Sequence, residues 1–379
     1  MSNCYRRVYL PRLLAVAIFL AMAVFAVIMV AGCRSGVKGS EAPELEGATG
    51  WVNAKPFTLA SLRGKVVLID FWTYTCVNCI RTFPYLREWH EKYADRGLVI
   101  VGVHSPEFEF EKKTSNVVKA AETYGLRYRI VQDNDFKVWN AYDNNYWPAK
   151  YLIDKDGVIR YTHFGEGDYA ETEAKIRELL TEAGFQVGGV EAGTDAGPKQ
   201  ALGASRDPET RQTRELYGGY LRGNSLGGLY VANREYYDAQ DKAVAYTDPG
   251  NHRNHLIYLQ GPWINGPESL DHGRATQNYE DYLAIRFSGA SANAVIDFSE
   301  GTKPFRVVVT LDGGALPRSH FGADIRVDED GKTFFLVDEP RMYRVVESQE
   351  FDSHELALSS NSADFALFAF TFGSYEQGP

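Results

Sequence analysis

The spacing of apolar and polar residues changes several times along the chain, and each change marks off a part. Leu13 to Val30 is one apolar run, preceded by Arg6, Arg7 and Arg12. From 47 to 185, continuous apolar runs alternate with helically spaced ones. Val66–Trp72 reads as a buried strand with one acid, Asp70, inside it. Ile80, Phe83, Leu86 and Tyr93 then lie mostly at helical spacing, and Gly97 ends that helix. Leu98–His104 is a second buried strand. Thr114–Tyr124 reads as a helix stopped by Gly125, and Phe136–Tyr142 as a short extra helical segment. Tyr151–Ile153 and Val158–Tyr161 flank Asp154-Lys-Asp-Gly157, a hairpin signal, and Ala170–Ala183 closes the region as a helix ended by Gly184.

Beyond about Thr213 helical periodicity becomes scarce. Strand-like runs appear at Leu256–Gln260, Tyr282–Phe287, Ala294–Phe298, Phe305–Leu311, Phe334–Val337, Met342–Val346, His354–Leu358 and Ala366–Phe372. Gly, Asn, Asp or Pro turns separate many of them, among them Asp328-Glu-Asp-Gly331. This is the pattern of an all-β sandwich. Between the two regions, Gly188 to Asp207 is rich in Gly, Ala and charge and reads as a linker. A chain of 379 residues exceeds one typical core, which agrees with two domains, expected at 47–185 and 213–379 and joined by 186–212.

The N-terminal pattern is an address. A basic start, an apolar stretch and the small residues of Val30-Ala-Gly-Cys33 describe a secretory signal over 1–33. Those four residues look like a bacterial lipobox with Cys33 as the lipid anchor, and 34–46 is then a tether. An uncleaved transmembrane anchor is the alternative, since the run is nearly long enough to span. Either way the rest of the chain is expected in the cell envelope, held at a membrane and facing the periplasm or exterior. A net charge of −10 with no Lys/Arg block argues against nucleic acid as a partner. Of the four cysteines, Cys4 and Cys33 lie in this N-terminal segment. Only Cys76 and Cys79 remain for the folded part, which excludes a structural disulfide framework.

That pair carries the chemistry. Cys76-Val-Asn-Cys79 follows the strand Val66–Trp72 directly and opens a helix. A helix N-terminus stabilises a thiolate, which is the nucleophilic form of cysteine. A strand running into Cys-x-x-Cys at a helix start is the redox site of a thioredoxin-type protein, and the order β-α-β-α-β-β-α is that of the thioredoxin fold. Cys76 is the expected nucleophile and Cys79 the resolving thiol. Asp70, costly to bury as a carboxylate, is expected to have a raised pKa and to relay the Cys79 proton; a strand-end acid facing solvent is the plainer alternative. Pro148 precedes the strand Tyr151–Asp154, where a cis bond would bring it against the cysteines. The residues alone leave its isomer open. The cysteines themselves carry the electrons, so no cofactor is expected.

Longer strings add a resemblance. Phe71-Trp-Thr-Tyr-Thr-Cys76-Val-Asn-Cys79-Ile-Arg-Thr-Phe-Pro84, Gly102-Val-His-Ser-Pro-Glu107-Phe-Glu-Phe-Glu111, Gln132-Asp-Asn-Asp135, Tyr146-Trp-Pro148-Ala-Lys-Tyr-Leu-Ile-Asp154 and Tyr161-Thr-His-Phe-Gly-Glu-Gly167 closely resemble the soluble half of DipZ-type cytochrome c biogenesis proteins, a TlpA-like thioredoxin branch. Leu311-Asp-Gly313 and Phe370-Thr-Phe-Gly373 resemble that family's carbohydrate-binding-module-like, jelly-roll domain. The resemblance covers roughly residues 50–375. It implies an exported thiol–disulfide oxidoreductase acting as a reductant on client proteins with disulfides, with Cys76, Cys79 and a cis Pro148 in the family roles. It also suggests Glu107 as a second acid near the site, against a plain loop acid. DipZ proteins carry a multi-span electron-delivering domain that this chain lacks, so a separate membrane donor of CcdA type is implied.

Other candidates are weaker. His252 and His255 have a spacing that metals use, without supporting ligands nearby. Trp263, Tyr217, Tyr220, Tyr236 and Tyr237 suit either a core or a sugar-stacking surface. Two rival functions stay open. One is peroxide reduction, with Thr73 three residues before Cys76 but no proline in that loop. The other is a glycan-binding envelope module.

Overall fold

The computed structural model describes residues 38–193, 211–222, 229–297 and 301–374. The signal segment, the Cys33 anchor, the alternative transmembrane reading and most of the linker fall outside these residues. No helix among the described residues is long and apolar enough to cross a membrane.

The first domain is built on a six-stranded mixed sheet. Its strands are β1 (Gly50–Val52), β2 (Val66–Trp72), β3 (Leu98–His104), β4 (Arg129–Gln132), β5 (Ala149–Ile153) and β6 (Ile159–Phe164), in the spatial order β1-β4-β3-β2-β5-β6. The apolar β2 is central and wholly buried, parallel to β3 and antiparallel to β5. Helices α1 (Val77–Tyr93), α2 (Thr114–Thr123), α3 (Lys137–Ala141) and α4 (Tyr169–Glu182) join and cover the strands. The buried stripe of α1 runs through Ile80, Phe83, Leu86, Trp89 and Tyr93. A left-handed Gly97 (φ 92°) then turns the chain into β3, and Phe185 fills the space where a side chain at 97 would sit. Two apolar clusters, one on each side of the sheet, make this a thioredoxin fold.

The presumed linker begins inside this domain. Val187 is buried, and Arg177 donates to the Val187 and Val190 carbonyls at 3.3 and 2.9 Å.

The second domain is all-β and antiparallel. Its strands are β7 (Leu216–Tyr217), β8 (Ala243–Tyr246), β9 (Leu256–Asn265), β10 (Leu270–His272), β11 (Tyr282–Asp297), β12 (Phe305–Leu311), β13 (Gly314–Ala315), β14 (Arg326–Val327), β15 (Thr333–Val337), β16 (Arg341–Ser360) and β17 (Ala366–Gly373). Two pairs of expected strands are single long ones. Tyr282–Phe287 and the described part of the second expected strand, Ala294 to Asp297, merge into β11, and Met342–Val346 and His354–Leu358 merge into β16; Phe298 lies outside the described residues. Register shifts at Gly289–Ser291 and Ala292–Asn293 bend the β11–β16 ribbon. One half of the ribbon pairs with β12 and the other with β17, so nine strands form one hydrogen-bonded path, β14-β15-β12-β16-β11-β17-β10-β9-β8, with β13 paired to β12 and β7 to β17 beside it, around a common core. Small buried residues at the bend, Ser288-Gly-Ala-Ser291, imitate a turn in sequence.

The domains share apolar surface. Phe368 of β17 packs edge-on against Phe108 and Phe110 at centroid distances of 5.2 and 4.8 Å. Val295, Met342 and Ala369 belong to the same buried cluster as α1 and α2. Lys119 pairs with Glu339, and the Glu109 amide donates to Glu268 at 2.9 Å.

Candidate active site

Cys76 is the N-cap of α1, with extended backbone, and its Sγ accepts a hydrogen bond from the Cys79 amide at 3.2 Å. The cap geometry uses one of the free N–H groups of the helix start and places Sγ against the positive end of the helix dipole. Cys76 is half-buried, Cys79 fully buried, and both are free thiols. Burial, then the hydrogen bond and charge of Cys76, push the Cys79 thiol well above its ordinary pKa. One sulfur is thus partly accessible at the helix tip, and the other waits beneath it.

The Trp147–Pro148 bond is cis. Trp147 Nε1 donates to the Ser105 carbonyl at 3.1 Å, tying the proline loop to the end of β3.

Asp70 is wholly buried, so the solvent-facing alternative fails. The carboxylate faces a residue that sequence reasoning missed. Lys150, directly across from Asp70 in the β2–β5 register, places Nζ 3.3 Å from Oδ1, and both side chains are buried. Burial raises the Asp70 pKa, and Lys150 opposes that rise. The Asp70 charge in turn adds to the upward push on Cys79. A buried charge in each of two adjacent apolar strands was the available signal for the pair.

Glu107 is displaced from its expected place. Its carboxylate turns to the second domain, where Arg222 pairs with it and the Tyr217 hydroxyl lies 2.8 Å from Oε1. The acid that reaches the redox loop is Glu111, four residues on. Its Oε1 accepts the Thr75 hydroxyl at 2.6 Å and the Thr75 amide at 3.3 Å, directly before Cys76. Its Oε2 accepts the Phe108 amide at 3.1 Å and the Glu107 amide. Burial raises Glu111 to about 7 despite these donors. The alternation Glu107-Phe-Glu-Phe-Glu111 carried the signal, since the strand-end loop buries one acid and exposes another.

Arg81, on α1 two residues past Cys79, is nearly buried and pairs with Glu166 at 3.4 Å. Next to the cis proline, Tyr146 and Phe164 form an exposed aromatic pair with centroids 5.4 Å apart.

The remaining candidates disperse. His252 has both ring nitrogens taken, by Asp248 at 2.7 Å and Glu355 at 2.9 Å, while His255 Nδ1 meets the Thr213 hydroxyl. Trp263 and Tyr236 are core residues. Thr73 Oγ1 lies 3.4 Å from His104 Nε2, whose ring burial lowers to about 3.

Known proteins match both parts of the chain in sequence. Residues 38–162 match the AhpC/TSA family, and 213–373 match the family described as a thioredoxin like C-terminal domain. Thiol-disulfide oxidoreductase YkuV of Bacillus subtilis is 30% identical over 140 residues, which cover 94% of that protein and 37% of this chain. The chain belongs to the thioredoxin-like thiol-disulfide oxidoreductases. This oxidoreductase is also 35% identical to Protein DipZ of Mycobacterium tuberculosis over 354 residues, 91% of this chain and 45% of that protein. It therefore spans about half the length of that relative. The thioredoxin domain of a thiol-disulfide oxidoreductase from Bacteroides vulgatus aligns with 37% of this chain and 96% of its own, at 29% identity and a TM-score of 0.32.

Proposed function

We propose that this oxidoreductase is a membrane-tethered reductase of disulfides in exported proteins, anchored at Cys33 and supplied with electrons by a CcdA-type membrane donor. Cytochrome c maturation is the setting that the sequence resemblance to DipZ-type cytochrome c biogenesis proteins implies. The observation that carries the reading is the asymmetry of the pair: Cys76 half-exposed at a helix tip, Cys79 buried with a raised thiol.

The Cys76 thiolate attacks one sulfur of a client disulfide, and the other leaves as a thiolate that takes up a proton. Cys79 then loses its proton, with Asp70 as the nearby acceptor and Lys150 holding the resulting charge balance. Its sulfur attacks Cys76 and releases the reduced client, leaving Cys76 and Cys79 as a disulfide. A buried, high-pKa Cys79 is a poor leaving group, which favours the closed disulfide and makes the dithiol an electron donor. The exposed Tyr146 and Phe164, beside the cis-Pro148 loop, offer an apolar surface for an unfolded client.

The test is capture. With Cys79→Ala, mixed disulfides between Cys76 and envelope proteins accumulate; with Cys76→Ala, none form and turnover stops. Absence of any Cys76-linked client from the Cys79→Ala protein would contradict the reading.

A second reading, peroxide reduction, draws on the AhpC/TSA match over 38–162. Direct turnover of hydrogen peroxide by the reduced protein, lost in Cys76→Ala, would favour it.

A further inference from the structure

The loop 105–111 connects the redox helix to the second domain through an unbroken series of polar contacts. Glu111 grips Thr75 by its amide and hydroxyl, and accepts the backbone amides of Glu107 and Phe108. From that same loop, Glu107 reaches across the domain boundary. Arg222 pairs with its carboxylate and donates to its carbonyl at 2.9 Å, and the Arg222 guanidinium lies over the rings of Tyr217 and Phe108 at 5.1 and 5.4 Å. We propose that the second domain is a working part of the redox centre: Arg222, Tyr217 and Glu215 act as positioning residues that hold Glu107, and through Glu111 and Thr75 set the position and charge environment of Cys76. This rests on Cys76 and Cys79 being the redox pair.

Tyr217 stands between two carboxyl groups. Its hydroxyl oxygen lies 2.8 Å from Glu107 Oε1 and 2.8 Å from Glu215 Oε2. One phenolic hydrogen serves one of these contacts. The other closes only when a carboxyl brings its own proton, so the three groups together hold a proton beyond that of the hydroxyl. Burial, reinforced by the Glu107 charge, pushes Glu215 up to about 8, which makes it the holder near neutral pH. The charged groups facing it are Glu107 and Glu111 from the first domain and Arg222 from the second. With Glu215 protonated, Tyr217 donates to Glu107, and Arg222 balances the one remaining charge there. Once Glu215 ionises, two carboxylates compete for one hydroxyl and one guanidinium, and negative charge builds beside the loop that grips Thr75. Negative charge there disfavours the Cys76 thiolate.

The experiment measures Cys76 alone, by the rate of iodoacetamide alkylation from pH 5 to 10 in the full chain carrying Cys79→Ala. Tyr217→Phe removes the shared hydroxyl but keeps the ring. The expected result is an alkylation midpoint moved up by about half a pH unit or more, so that the rate at pH 7 falls about threefold. Glu215→Gln keeps a neutral donor to Tyr217 and cannot ionise, so its alkylation midpoint should lie below the parent's, and a midpoint above it would contradict the charge step. Arg222→Lys keeps the charge but not the forked contact, so its midpoint should rise by less than that of Tyr217→Phe; it carries the test should Tyr217→Phe fold poorly. Profiles that superimpose on the parent in Tyr217→Phe and Arg222→Lys would overturn the proposal. Disulfide turnover by the unaltered protein is measured beside these. Turnover with unshifted profiles overturns only the second domain's role. A shifted profile without turnover supports that role and removes the reductase reading.

Discussion

At the residue scale, the site depends on buried charges that water cannot solvate. Glu111 holds its proton more tightly folded, at about 7, than at the ordinary 4.5. A carboxyl raised in this way favours the folded state at low pH, and the advantage is lost as pH rises from the ordinary value through the folded one. Glu111→Gln removes that slope. The variant turns an amide donor toward the donors of Thr75, Glu107 or Phe108 and is expected to be less stable by about 1–3 kcal/mol at pH 5. Between pH 5 and pH 8 the variant should gain about 2.5 kcal/mol on the parent, so that the deficit closes or reverses. Denaturant unfolding at the two pH values checks this, and a deficit independent of pH would contradict it. For the Asp70–Lys150 pair, Lys150→Met leaves a buried carboxylate alone and should cost about 3–5 kcal/mol, whereas Asp70→Leu with Lys150→Met should lie near the parent stability. The same double variant should release trapped client more slowly, because Cys79 loses its proton acceptor; equal release rates would remove Asp70 from the relay. Cys76, Cys79 and Asp70 were legible because strand, helix start and motif fall together in the chain. Lys150 and Glu111 were not, since each is defined by what lies across from it. Lys150 needs the β2–β5 register, and Glu111 needs the fold of the loop after β3.

At the scale of elements, the first domain was readable because its periods switch cleanly between strand and helix. The second domain was readable as β, but its strand count was not. Ser288-Gly-Ala-Ser291 interrupts the apolar pattern as a turn would, yet it is buried at a bend within β11. Such a bend stays within one strand because both edges of the ribbon keep hydrogen-bonded neighbours. Where backbones approach closely, small residues are required. A Cβ added at Gly218, beside β7, would lie 2.3 Å from the Leu367 carbonyl oxygen and 2.8 Å from the Leu270 amide nitrogen. Backbone cannot step aside as a side chain can, so Gly218→Ala should cost about 1–3 kcal/mol. Thermal unfolding unchanged by that substitution would show the β7–β17 contact to be loose.

At the scale of the whole molecule, the two domains behave as one body in this account. Phe368 packs edge-on against both Phe108 and Phe110, on the loop that also carries Glu107 and Glu111. Phe368→Ala should cost about 3–5 kcal/mol and split unfolding into two transitions. A single transition at the parent midpoint would mean that the interface contributes little. Nothing in the sequence pattern signalled this contact. The pattern separates the domains at the linker, and the aromatic residues that join them look like ordinary core residues of each. The direction of electron flow belongs to this scale too, since it links the pair to its donor and its clients. The reduction potential of the Cys76–Cys79 pair in the full chain, measured by equilibration against glutathione or dithiothreitol, decides that direction. A reductant recharged through a membrane should have a value of about −270 mV, in the range of thioredoxin. A value near about −120 mV, that of a strong oxidant, would contradict a reductant role and make the protein a disulfide donor.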